Sequence, residues 1–201
     1  MTVVVGYIPH RGGRGALDLA LQLAHARGEA MAVVTVVPRQ WTTPSLAKID
    51  AEYGEYARQV GEQAEAQARD YLRDTSVEVA TTYRSVTGRS VSSALVDAVH
   101  ELEAGTLVIG SSADGAEGRI VTGSTADKLL HSAPVPLAIA PRGYRSVAAA
   151  GFSRLTCAFS TARRRCAWSP TPSPWPSSSA RRCGWRASAS ATPRCTRRRW
   201  A

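Results

Sequence analysis

Three runs of strand-forming residues constrain what this chain can fold into. Val3-Val4-Val5-Gly6-Tyr7-Ile8, Met31–Val37 and Thr106–Ile109 are apolar at nearly every position rather than at alternate ones. Strands of that kind are covered on both faces, as central strands of a parallel sheet are. Stretches with helical spacing lie between them. Leu17, Ala20, Leu21 and Ala24 make one stripe, closed by Gly28 as a helix stop. Tyr53, Tyr56, Ala57, Val60, Ala64, Ala68 and Tyr71 make a second, with Glu, Gln and Arg between them. Gly88 and Ser90 introduce a third, carrying Val91, Ala94, Leu95, Ala98, Val99 and Leu102, which Gly105 ends. Ala126, Leu129, Leu130 and Ala133 make the fourth.

Two weaker strands complete the pattern. Val77–Tyr83 alternates apolar and polar residues, which suits a strand near a sheet edge, and Val135–Ala140 lies between Pro134 and Pro141. Strands alternating with helices imply right-handed crossovers, hence an α/β fold: a five-stranded parallel doubly wound sheet with helices on both faces. Ligands of such sheets sit beyond the C-terminal ends of the strands, where strand order reverses.

The strand Thr106–Ile109 runs into Gly110, then a polar loop, Ser111–Thr122, with glycines at 115 and 118 and a single Arg119. Gly123-Ser124-Thr125 then opens the fourth helix. A helix N-terminus offers unpaired N–H groups and a partial positive charge, and small residues there let an anion approach the backbone. This is a phosphate site in outline.

The spacing Gly110-x12-Gly123-Ser124, with the flanking Thr125–Pro136, resembles the universal stress protein family over about the first 145 residues. Its nucleotide-binding members carry Gly-x2-Gly-x9-Gly-Ser/Thr after the fourth strand. The resemblance implies strand order 3-2-1-4-5, so Tyr7–Gly15 faces Gly110–Ser124 across the crevice. It also implies an adenine nucleotide there, ATP with its Mg ion. Gly110 would permit close approach, the Gly123 and Ser124 amides would hold phosphates, and the Ser124 and Thr125 hydroxyls would assist. Arg119 would screen phosphate charge, while Val36 and Val37 would line the base slot. Two positions depart from the family pattern: Ala113 replaces the second glycine, and Ile8, followed by Pro9, stands where binding members have an aspartate. Family dimers form through the fifth strand, which here implies a homodimer through residues 135–140.

Charge and cysteine usage divide the chain. Residues 151–201 hold 11 arginines, no lysine and no acid, leaving 14 basic and 16 acidic residues in 1–150. The formal charge of +9 therefore belongs to the tail alone. All four cysteines, spaced without a Cys-x2-Cys pair, also lie there, which argues against a disulfide scaffold in the folded part and against zinc. We expect a universal stress domain in 1–145, a linker and remnant first strand of a second domain in 146–160, and a disordered Arg/Ser/Pro/Trp-rich tail in 161–201. Loss of every acid near residue 160, in a chain of GC-rich usage, suggests a frameshift. The rival reading is nucleic-acid binding through arginine triplets interleaved with tryptophan. A stress protein without nucleotide, acting through protein partners, is the other alternative.

Catalysis finds little in the residues. His10, His25, His100 and His131 lack metal-ligand spacing, and no Gly-x-Ser-x-Gly elbow occurs. Asp114 and Glu117 in the motif loop read as solvated carboxylates, with metal binding as the alternative. No basic leader or long apolar run is present, so a cytoplasmic protein that does not span a membrane is expected.

Overall fold

The computed structural model describes residues 1–9, 13–38, 47–75 and 77–145 and the single positions 152 and 156, with side chains 47–53 left out. His10, Trp41, Pro44, the remnant strand and the arginine tail fall outside the described residues, as does the side chain of Tyr53. The chain divides into two units, Met1–Gly151 and Phe152–Ala201, and the fold below is that of the first.

Five strands alternate with four helices: β1 Thr2–Gly6, α1 Gly13–Arg27, β2 Ala30–Pro38, α2 Ala47–Arg73, β3 Thr81–Gly88, α3 Val91–Glu101, β4 Ala104–Gly110, α4 Ser124–Ser132 and β5 Leu137–Ala140. The strands form one sheet of order β3-β2-β1-β4-β5, and every pairing is parallel. The two-residue period of a strand sends neighbours to opposite faces. Val3, Val5, Met31 and Val33 meet Leu17, Leu21, Ala64 and Ala68 of α1 and α2 on one face. Val4, Ala32, Val34, Leu107 and Ile109 meet Leu95, Val99 and Leu129 of α3 and α4 on the other. The continuous runs are central strands for this reason.

Edges and ends differ from expectation. The third strand is Thr81–Gly88 rather than Val77–Tyr83. Its ladder must match β2, which pairs Met31 with Thr81 and Pro38 with Gly88. Val77 and Val79 pack on the core without joining the sheet. The fifth strand shortens from Val135–Ala140 to Leu137–Ala140 because Pro134 and Pro136 have no N–H to donate. The first strand ends at Gly6, though the Tyr7 N–H still donates to the Val34 carbonyl at 2.9 Å. Helix α3 ends at Glu101, with Glu103 in the left-handed region (φ 45°), so Gly105 belongs to β4 instead of stopping the helix.

Two side chains face the wrong way for their expected roles. Tyr56 is 60% exposed and Leu130 is 54% exposed. The buried stripe of α2 runs Ala57, Gly61, Ala64, Ala68, and Tyr56 lies one helical step off it. Leu130 is likewise one step beyond Leu129, which is fully buried. Gly28 does stop α1, at φ 63°.

Candidate functional site

The carboxyl ends of β1 and β4 diverge at the point where strand order reverses, and a cleft of about 310 Å³ opens between them. Gly6, Tyr7 and Ile8 come from the exit of β1, and Val36 from β2. Gly110, Ser111, Ser112, Ala113 and Asp114 come from the exit of β4. Val91 and Leu95 supply an apolar wall from α3, and Gly123, Ser124 and Thr125 bring in the start of α4. Tyr7 is almost fully buried, and that burial pushes its phenol above the usual value, so it presents a neutral ring. Ile8 leaves the sheet half exposed at the rim.

The two helices flanking the cleft begin differently. Ser90 caps α3, its hydroxyl accepting from the Ser93 N–H at 3.1 Å. Helix α4 has Gly123 at the cap, with extended backbone and no side-chain cap. Its first intrahelical bond runs from the Asp127 N–H to the Gly123 carbonyl at 2.9 Å. The amides of the first turn are thus available to whatever enters the cleft.

The loop between β4 and α4 is pinned from within and from outside. The Ser111 hydroxyl, buried at its base, accepts from the Val121 N–H at 2.8 Å and donates to the Val121 carbonyl at 3.2 Å. The Ser112 N–H also reaches that carbonyl, at 2.9 Å. At the tip, the Arg142 guanidinium donates to the Gly115 carbonyl, and the Gly118 N–H donates to the Arg142 carbonyl at 2.9 Å. The segment after β5 therefore holds the loop's outer turn. Replacing Ser111 with Ala takes the partner from the Val121 N–H, while the Val121 carbonyl keeps the Ser112 N–H. A loss of about 1–3 kcal/mol is expected, read by urea denaturation; an unchanged midpoint would show that the loop holds without the hydroxyl.

Of the residues singled out from the sequence, Tyr7, Ile8, Val36, Gly110, Ala113, Gly123, Ser124 and Thr125 come together on the cleft. Pro9 and Arg119 do not line it, and Val37 turns into the core. Arg119 contributes its backbone to the loop, its carbonyl accepting from the Arg142 N–H at 3.1 Å. Gly13, Ser111, Ser112, Val91, Leu95 and the wall position of Asp114 were not foreseen. The helical spacing of the apolar stripe in α3 was a usable signal for Val91 and Leu95; the serines gave none. Among the described residues no cluster of His, Cys, Asp or Glu suits a metal ion, and no helix is long and apolar enough to cross a membrane.

Comparison with known proteins gives this architecture a family. The Universal stress protein family pattern matches residues 1–141. Universal stress protein Rv2319c of Mycobacterium tuberculosis is 44% identical over 160 residues, which cover 80% of this chain and 54% of that protein. Universal stress protein Mb2346c of Mycobacterium bovis matches with the same figures. The chain thus spans about half the length of the curated relatives it matches. Among solved structures, universal stress protein UspA from Lactobacillus plantarum superposes with a TM-score of 0.58 at 18% identity, covering 70% of this chain and 97% of that one. A universal stress protein in complex with cAMP does so with a TM-score of 0.50 at 22% identity, covering 71% and 98%. With the family pattern spanning the whole sheet and close relatives matching beyond it, this chain belongs to the universal stress protein family.

Proposed function

We propose that the protein binds an adenine nucleotide in the cleft between β1 and β4 and serves a regulatory or protective role in a stress response, without turnover. The observation that carries this reading is the uncapped start of α4 facing an apolar slot. Amides and the helix dipole would take the anionic end. Val36, Tyr7 and Leu95 would face the base. A relative of the same fold that holds cAMP supports the choice of ligand class. The role of Ala113 is that of a tolerated wall residue, its Cβ on the cleft surface.

Titration calorimetry on the full chain with adenosine, AMP and ATP tests the reading, with Ser124→Asp as the control. An aspartate in the first helical turn suits the helix dipole, so the variant stays folded. It places a carboxylate among the amides, and at least a tenfold loss of affinity for phosphate-bearing ligands is expected. No saturable binding of any of the three at millimolar concentration would end the nucleotide reading.

The same reading pairs two copies through β5, the edge of the sheet among the described residues. It also takes 1–145 as the first of two such domains, which the greater length of the relatives supports. Sedimentation of a monomer at all concentrations would remove the first idea. DNA frames beyond residue 160 with no stress-protein-like text would remove the second.

A further inference from the structure

Resting on the adenine-nucleotide reading, the charge inventory of the cleft points to a specificity within that class. We infer that Asp114 makes the cleft select a nucleoside or a singly charged nucleotide and reject a polyphosphate. Asp114 is the one charged side chain among the described residues that line the cleft. Its carboxylate is tethered at the wall: the Ser112 hydroxyl donates to Oδ2 at 3.0 Å. Ser112 in turn adjoins the start of α4, since a Cβ placed on Gly123 would lie 3.8 Å from the Ser112 Cβ. The carboxylate and the start of α4 thus share one cleft, with Ser112 touching both sides.

The described cations near the cleft are engaged elsewhere. Arg14 stands over the Tyr71 ring, 5.3 Å from its centre. Arg142 is spent on the Gly115 carbonyl, and Arg119 is outside the lining. Among the described residues of the cleft, what remains positive is the end of α4, equivalent to about half an elementary charge. A full negative charge on Asp114 outweighs it. A cyclic monophosphate or an uncharged sugar can use the amides and tolerate that balance. Each further phosphate adds repulsion, and among the described residues that line the cleft no cation offsets it.

The test compares adenosine, cAMP and ATP by calorimetry on the full chain, wild type and Asp114→Asn, at low ionic strength with EDTA. The chelator removes cations that would mask the carboxylate. Asn keeps the size and an oxygen for the Ser112 hydroxyl, and the site is exposed, so an unchanged denaturation midpoint is expected. Wild type is expected to bind adenosine and cAMP more tightly than ATP. Asn is expected to raise ATP affinity about three- to tenfold, cAMP affinity less and adenosine affinity not at all. The gain should vanish near 1 M salt, where the screening length is about 3 Å. ATP binding at least as tightly as cAMP to the wild type would overturn the selectivity while leaving the nucleotide reading intact. So would an equal response of ATP and adenosine to the substitution. Failure of all three ligands to bind would overturn both.

Discussion

Leu129→Ala is expected to cost about 2–5 kcal/mol of stability, the range for deleting a fully buried leucine, whereas Leu130→Ala should change it by less than about 0.5 kcal/mol. Helix α4 has nine residues and buries only Ala126 and Leu129. Leu129 is wholly enclosed among residues such as Leu95, Val99 and Leu107 on the α3 face of the sheet. A helix that short has little stability of its own, so tertiary packing must hold it. Removing its one large anchor loosens the turn whose amides face the cleft. Urea denaturation of both variants reads the difference, and ligand titration of Leu129→Ala at low temperature reads the consequence for the site. Equal midpoints for the two variants would mean that α4 is not seated through Leu129.

That pair of leucines also shows where the sequence stops being informative. A helical stripe is visible as a period, but two large apolar neighbours one step apart fit it equally well. Which of them is enclosed depends on the angle at which the helix meets the sheet. Tyr56 beside Ala57 poses the same ambiguity, and the small residue is the buried one because α2 lies close to the sheet. Central strands posed no such problem. Val3-Val4-Val5 and Leu107-Val108-Ile109 are apolar on both faces, and only the middle of a layered sheet covers both. Edge strands have one neighbour, which sets their ends: β2 decides where β3 begins, and proline decides where β5 does.

Strand alternation put a ligand crevice at a switch point. The strand order that the family resemblance implied put it between β1 and β4, where positions on the exits of β1, β2 and β4 come together. The finer wall was not legible in this way. Ser111 reads as one more polar loop residue until the chain folds back and puts Val121 against its hydroxyl. Arg119 and Arg142 read alike, yet Arg142, far along the chain, is the one whose guanidinium clasps the loop. Such contacts depend on the path of a loop through space, and local composition carries no record of that path. Asp114 is the same case with a functional consequence.

Glycine substitutions at two positions should move stability in opposite directions. At Gly13, the first residue of α1, an added Cβ would sit 2.4 Å from the Ile8 carbonyl oxygen and 2.8 Å from the Tyr7 ring. Neither atom is the end of a flexible chain, so the turn between β1 and α1 must shift. Overpacking of this kind costs about 1–3 kcal/mol. At Gly54, inside α2, a Cβ meets nothing within 4 Å. Alanine there gains about 0.8–1 kcal/mol of helix propensity. Thermal denaturation should show Gly13→Ala melting lower and Gly54→Ala higher, at about 2–4 °C per kcal/mol for a chain of this size. Tyr7 and Ile8 are also the β1 wall of the cleft, so Gly13→Ala should weaken ligand binding where Gly54→Ala leaves it alone. A Gly13→Ala variant with wild-type melting would show that α1 does not press against the exit of β1, and the cleft would then need a different wall on that side.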